Sequence, residues 1–312
     1  MVAQNYFQFF MYDIVILGAG CVGLGAGVYA GRFNMKTLLM GELMGGTITT
    51  THLVENYPGF VSLSGPELAE KLEQHARSVD IEIVNGVVID IQHHGDCFSI
   101  HTKESEYRTK TVLYVTGTTY RSLDIPSVKR LENRGVSYCA SCDGPLFKGK
   151  NLAVVGGGDS AAKESLLLAE FSPKVYIIVR GDRLKAEPIN LKRVEKNPKI
   201  EVLLNTEVAE AIGENLLERI QLKNGNILDV QGLFIEIGRI PRTELAAKLG
   251  VELNSQKEIK INRNSETNIR GFYAAGDVTD TVFKQAITGV GEGILGVYSA
   301  YEYISSQNIE CM

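Results

Sequence analysis

Two thiols separated by two residues can close a small disulfide ring that opens and recloses reversibly. The chain carries such a pair in Cys139-Ala-Ser-Cys142, with an acid, Asp143, directly behind it. The run continues through Gly-Pro-Leu-Phe-Lys-Gly-Lys into the apolar Asn151-Leu-Ala-Val-Val, then into Gly156-Gly-Gly158-Asp159-Ser160-Ala161. A redox pair just ahead of an apolar strand and a glycine turn points to electrons moving between a bound cofactor and a disulfide. Structural zinc requires four ligands, and neither a second cysteine pair nor a nearby histidine supplies the other two. Two unrelated buried thiols are the plainer alternative.

The elements that must position this pair follow one pattern, used twice. Tyr12-Asp-Ile-Val-Ile-Leu reads as a buried strand, followed by Gly18-Ala-Gly20-Cys21-Val-Gly23 and a small-residue helix through Arg32. Asn151-Leu-Ala-Val-Val leads in the same way through Gly156, Gly158 and Ala161 into a helix through Ala169. Each helix is followed by another apolar strand, Lys36-Thr-Leu-Leu-Met and Lys174-Val-Tyr-Ile-Ile-Val. In such a βαβ unit the first glycine makes the tight turn and the second lets a pyrophosphate approach the backbone. The third position must be small, so that helix and strand pack closely. The helix N-terminus then meets the pyrophosphate charge with N–H groups and its dipole. One such turn is a weak signal; two in the same strand-to-helix context point to two dinucleotide-type folds.

Between the two copies, Glu82-Ile-Val, Val87 to Gln92, Cys97 to His101 and Thr111 to Val115 alternate with period two, which suggests an antiparallel meander. The same kind of segment recurs at Ile200 to Leu204, Leu217 to Leu222 and Gly232 to Ile237, and a long helical pattern covers roughly Phe283 to Ile304.

The bulk properties permit this reading. A chain of 312 residues makes one large domain or two of moderate size. A formal net charge of −5 with mixed signs gives no case for nucleic acid or an anionic membrane surface, and no apolar run is long enough to cross a bilayer. Met1 to Phe10 lack the basic start and small-residue cleavage site of a secretory signal, and Met11 marks the expected start of the folded part. Five cysteines, Cys21, Cys97, Cys139, Cys142 and Cys311, are an odd and mostly scattered set. They suit a reducing cytoplasm with one special pair, with Cys311 as an exposed bystander.

The paired glycine turns, the Cys-x-x-Cys-Asp-Gly ahead of the second, and the late Gly276-Asp277 together resemble the low-molecular-weight thioredoxin reductase family. The resemblance runs from about Tyr12 to Ile304. It implies an α/β fold of two Rossmann-like (three-layer ββα) dinucleotide-binding domains, the second inserted in the first. Residues 1–118 and 241–312 would bind FAD, and residues 119–240 would form the NAD(P)H-binding-like domain that carries the redox pair. Gly18, Gly20 and Gly23 would take the FAD pyrophosphate, and Glu42, just past the second strand, would accept ribose hydroxyls. Gly46-Thr47 through Asn56 resembles the family's stretch over the flavin ring, and Thr116-Gly117-Thr118 its interdomain turn. Gly276-Asp277 resembles its ribityl acceptor, and Lys284-Gln285-Ala286 the helix start at the pyrimidine edge. Cys21 stands where the family commonly has proline and reads as a small residue, not a ligand.

The resemblance also gives the cysteines roles. Cys142 would exchange electrons with the flavin, Cys139 would attack a partner disulfide, and Asp143 would move the proton. Because a pair against a flavin cannot also touch a bulky protein, it implies domain rotation, with hinges near Thr118 and Gly238 to Pro241. A thioredoxin-like protein disulfide is the implied acceptor, and a homodimer the implied assembly.

One family motif is altered. NADPH-dependent members follow the second helix with a His-Arg-Arg-x-x-x-Arg run that grips the 2′-phosphate. Here the stretch is Val179-Arg180-Gly181-Asp182-Arg183-Leu184-Lys185. Arg180 and Lys185 remain beside the intact loop of Gly156, Gly158, Asp159, Ser160 and Ala161, but glycine cannot replace an arginine's bidentate phosphate contact. The donor therefore stays open between NADPH on a weakened clamp, NADH, and ferredoxin or a second flavin. Two other readings are a ferredoxin–NADP reductase-like flavoenzyme, against which the cysteine pair argues, and a redox sensor without turnover.

Overall fold

The computed structural model describes residues 11–307, 309 and 311. The segment 1–10, read above for signal features, lies outside the described residues. The chain divides into two compact units, residues 1–118 with 241–312 and, inserted between them, residues 119–240.

In the discontinuous unit the chain runs β1 (Met11–Leu17), α1 (Cys21–Arg32), β2 (Thr37–Gly41), α2 (Gly65–Arg77) and β3 (Glu82–Asn85). It continues through β4 (Asp90–His94), β5 (Cys97–His101) and β6 (Glu106–Tyr114). β3, β2, β1 and β6 are parallel neighbours, and β5 and β4 extend the sheet antiparallel. From Ile14 to Leu17 β1 is an unbroken apolar run, because both faces of the sheet are covered there. Ile14, Ile16, Leu24 and Leu39 pack on one side and Val15, Leu17, Leu38 and Met40 on the other, all at most 2% exposed.

The chain leaves along β7 (Thr118–Tyr120) into the inserted unit. There it forms α3 (Pro126–Arg130), β8 (Val136–Ser137), α4 (Ala140–Asp143), β9 (Leu152–Val155), α5 (Asp159–Phe171), β10 (Val175–Ile178) and α6 (Pro188–Lys196). After β11 (Ile200–Leu203) come β12 (Val208–Ile212), β13 (Arg219–Leu222), β14 (Ile227–Leu228) and β15 (Gly232–Ile235). The parallel sheet has the order β11-β10-β9-β15-β8, and β12-β13-β14 forms a separate antiparallel layer. The chain returns along β16 (Arg239–Pro241), which pairs with β7. It completes the first unit with α7 (Glu244–Lys248), β17 (Phe272–Ala274) and α8 (Ala286–Ser306). β17 pairs parallel to the late half of β6.

Both units are thus Rossmann-like, with a parallel sheet between helices and an antiparallel layer. The expected meanders need correction. Glu82 to Val84 lie in β3, parallel to β2, and Ile200 and Gly232 open β11 and β15, both parallel strands. Short buried strands lose their alternation signal when both faces are covered, so period alone could not separate them from meander strands. The cysteine reading also changes. Cys97, opening β5, and Cys311, past α8, form a second disulfide with Cα atoms 5.6 Å apart and 214 residues between them in sequence. Cys311 is therefore not a bystander; only the folded sheet brings the segment after α8 to β5. Among the described residues, no helix is long and apolar enough to cross a membrane.

Candidate functional site

In the discontinuous unit, the first glycine turn is closed by sterics. Gly18 has φ +129°, and a Cβ there would lie 2.2 Å from the Val115 carbonyl oxygen; one at Gly23 would lie 1.8 Å from the Gly18 carbonyl oxygen. Gly20 differs, since a Cβ there would meet only ordinary contacts, with Gly45 and Gly46. Its surface is a cradle suited to a phosphate against the first turn of α1. Gly45 donates to the Ala19 carbonyl at 2.8 Å and so brings the 46–56 stretch, with Thr47, to that loop.

The returning segment reaches the same loop. A Cβ on Gly276 would lie 2.9 Å from Val22, in the first turn of α1. Asp277 stands close enough for its charge to act on the Cys21 thiol, which burial first and then that charge push up to about 12, leaving it a neutral small residue. The Gly276 N–H donates to a Glu292 carboxylate oxygen at 2.9 Å, fixing this turn on α8. Thr116 donates to the Arg242 carbonyl at 2.9 Å, and Gly117 takes φ +65°. Glu42 is exposed just beyond β2.

The Lys284 side chain is engaged within its own unit. Its ammonium lies 2.6 Å from Glu258 and donates at 2.9 Å to the carbonyls of Asp277 and Thr279. The side chain is committed to holding its loop, just ahead of the start of α8 at Ala286. The Asn56 side-chain amide donates to Gln285 Oε1 at 3.0 Å. The discontinuous unit thus contains every segment expected to hold a flavin, and its open glycine leaves room for a phosphate.

In the inserted unit, Cys139 and Cys142 form a disulfide with Cα atoms 5.4 Å apart. Cys139 caps α4, and its Sγ accepts the Cys142 N–H at 3.2 Å. Ser137, at the end of β8, donates to Asp143 Oδ2 at 2.6 Å, while its Oγ accepts the Cys139 N–H at 3.1 Å. One hydroxyl therefore holds both the acid and the backbone of the first cysteine. Sequence reasoning missed Ser137, since a serine closing a two-residue strand carries no signal.

The second glycine turn repeats the first. A Cβ on Gly156 would lie 2.2 Å from the Glu236 carbonyl oxygen, whereas one on Gly158 would meet nothing within 4 Å. The Lys185 N–H donates to the Gly157 carbonyl at 2.8 Å, which pins the basic 180–185 loop beside the turn. Arg180, Arg183 and Lys185 are exposed there, and Ser160 sits in the first turn of α5. Asp159 is used internally: it accepts from the Glu187 N–H and from Asn190 at 2.9 Å each and pairs with Lys163 at 2.8 Å. Those partners hold its carboxyl below the usual range against the opposing effect of burial.

Another feature invisible in the sequence is a buried acid pair, Glu164 on α5 and Glu236 after β15. Burial and then the Glu236 charge push Glu164 well above the carboxylate range, and burial raises Glu236 against the pull of Arg239. One buried oxygen of each carboxyl has no hydrogen-bond partner, an environment that favours the protonated form.

A reversible disulfide with its own acid, carried on one of two dinucleotide folds, defines a disulfide oxidoreductase. The chain belongs to the pyridine nucleotide-disulphide oxidoreductase family, whose pattern it matches over residues 12–293. It is 36% identical over 302 residues to a thioredoxin reductase of Bacillus subtilis, covering 94% of this chain and 95% of that one. The crystal structure of Lactococcus lactis thioredoxin reductase matches with TM-score 0.92 and 36% identity, covering 95% of this chain and 100% of that one. A ferredoxin-flavin thioredoxin reductase of Clostridium acetobutylicum matches with TM-score 0.53 and 31% identity, covering 95% and 99%. The chain is accordingly a flavin disulfide oxidoreductase of the thioredoxin-reductase type.

Proposed function

We propose that the chain uses FAD, held in the unit of residues 1–118 and 241–312, to reduce a thioredoxin-like protein disulfide through Cys139 and Cys142. The carrying observation is the capped pair itself: Cys139 Sγ already accepts the Cys142 N–H, and Ser137 holds Asp143 beside it. Bound FAD would supply the two electrons that open this disulfide. Gly18, Gly20 and Gly23 would hold its pyrophosphate, Glu42 the ribose, and Asp277 the ribityl chain. Gly46, Thr47, Asn56, Thr116, Gly117, Gly276 and the backbone of Lys284 to Ala286 would surround the rest.

Opening the pair consumes two electrons and leaves a Cys139 thiolate, stabilised by the helix-start N–H, and Cys142, whose proton Asp143 can hold or return. The Cys139 thiolate attacks one sulfur of the partner disulfide, and the other partner sulfur leaves as a thiolate and takes up a proton. Cys142 then attacks Cys139 Sγ, releasing the partner dithiol and reforming the pair. The crossings at β7 and β16 would serve as hinges for this exchange. Work in a reducing cytoplasm, as a homodimer, accords with this chemistry.

For the electron donor we read the second loop as a dinucleotide site with a partial phosphate clamp. Gly158 is open, and Arg180 and Lys185 remain, but Gly181 offers no guanidinium. NADPH would then hold little advantage over NADH. The specific loss at Val179 and Gly181 also favours a second reading, reduction by ferredoxin. Anaerobic bleaching of the flavin with NADPH, NADH and reduced ferredoxin, tried separately, tests the donor. A flavin that none of them bleaches would sink the turnover reading and leave a sensor. If Cys139→Ser kept full reduction of a protein disulfide, the route through the pair would be wrong.

A further inference from the structure

The second disulfide lies wholly within the discontinuous unit and is separate from the redox pair. Cys97 opens β5 and is 5% exposed; Cys311 is half-buried in the segment after α8. The two stand on opposite sides of the inserted unit in sequence, so their bond closes a covalent ring around residues 119–240. Contacts that do not need the bond already bring β5 and the end of α8 to one place: a Cβ on Gly271 would lie 3.2 Å from the Phe98 ring of β5 and 3.5 Å from the Tyr303 ring of α8. Arg270 stacks over the Tyr303 ring with its guanidinium carbon 5.0 Å from the centroid and also bonds Gln307. The charge of Asp96, next to Cys97, reaches Tyr303. Thiols held in such proximity react with each other far faster than with solutes.

We propose that Cys97 and Cys311 are a second, reversible redox site, whose closure clamps the segment after α8 to β5 and staples the two sequence halves of the discontinuous unit. The oxidant is a small-molecule disulfide of the glutathione class. The more accessible Cys311, as thiolate, attacks one sulfur of that disulfide and expels the other as a thiolate. Cys97, as thiolate, then attacks Cys311 Sγ and expels the second. Two protein thiols and one small disulfide thus become one protein disulfide and two small thiols, with protons and electrons balanced. Closure ties down one end of α8, a 21-residue helix whose other end is held through Gln285 to Asn56. Its effect is therefore on the stability of the unit, independent of which electron donor or acceptor the protein uses.

The test uses the full chain, treated with oxidised glutathione, alkylated and digested with trypsin without reduction. Cleavage after Arg77, Lys103 and Lys284 should release residues 78–103 linked to residues 285–312, and dithiothreitol should separate them. Thermal unfolding of the wild type and Cys311→Ser supplies the second readout. The oxidised wild type should melt roughly 5–10 °C above the variant, and the gap should vanish in dithiothreitol, where both have lost the redox pair alike. Recovery of both peptides singly alkylated from oxidised protein would overturn the proposal. So would a melting gap that persists in reductant, since it would report lost packing and not a lost bond.

Discussion

The side chains of Asn56 and Gln285 meet at 3.0 Å although 229 residues separate them in the chain. Gln285 also caps α8 in a reciprocal box with Thr288. The contact therefore ties the 46–56 stretch to the start of the helix that packs on α1, joining two of the segments expected to surround a flavin. Replacing Asn56 and Gln285 by alanine, singly and together, should be non-additive. A double-mutant cycle read by flavin retention or thermal unfolding should give a coupling of about 0.5–1.5 kcal/mol, toward the low end because Asn56 is exposed. Strict additivity would mean the contact carries no energy.

Cys139→Ser should abolish protein-disulfide reduction while leaving flavin bleaching by the donor intact, since the donor half-reaction does not pass through that sulfur. Parallel assays of donor oxidation with a dye and of disulfide reduction separate the two halves.

Asp143→Asn should keep the Ser137 contact but lose the carboxyl that passes the proton, lowering disulfide turnover by roughly 10²–10⁴-fold. Ser137→Ala should be milder, because it frees the carboxylate without removing it. If Asp143→Asn kept wild-type turnover, Asp143 would not be the proton carrier.

Gly181→Arg should improve NADPH binding by about ten- to a hundredfold and leave NADH unchanged, one charge-assisted phosphate contact being worth roughly 1.5–3 kcal/mol. A Cβ at Gly181 would meet nothing within 4 Å, and the position is exposed, so a side chain can leave the backbone there without a clash. Restoring histidine at Val179 is a poorer test, because that side chain is 2% exposed. Equilibrium titration with each nucleotide decides the matter. No change with NADPH would place the donor elsewhere.

The Glu164–Glu236 pair makes stability pH-dependent with a definite sign. In the unfolded chain both acids titrate near 4.5, whereas in the fold burial and mutual repulsion raise Glu164 to about 9 and burial raises Glu236 to about 7. The folded state then binds protons more tightly, so this contribution to stability falls as pH rises through that window and is fully lost above it. Glu236→Gln keeps a partner for Glu164 and removes one charge. Its melting temperature should gain on the wild type steadily between about pH 5 and about pH 9. A gap constant across that range would show that the pair does not titrate there.

Much of this protein was legible from local spacing. Cys139-x-x-Cys142-Asp143 and the loops at Gly18 and Gly156 are short-range motifs whose chemistry depends on neighbours in sequence, and the strand-to-helix turns that carry them obey local sterics. The direction of β3, β11 and β15 was not legible, because buried strands look alike whichever way their partners run. Ser137 beside Asp143 and the Glu164–Glu236 pair were hidden for the same kind of reason: a hydroxyl or a carboxyl gains its role only from what faces it.

The sequence by itself determined the two dinucleotide folds, the Cys139–Cys142 pair and the altered run from Val179 to Lys185, since each is written in residue types at fixed short separations. Only the tertiary structure decided that Cys97 bonds Cys311, that Asn56 meets Gln285 and that the Lys284 ammonium is spent on Glu258. Those partners lie from 26 to 229 residues apart, and contacts at such distances exist only after the sheet has chosen its strand order.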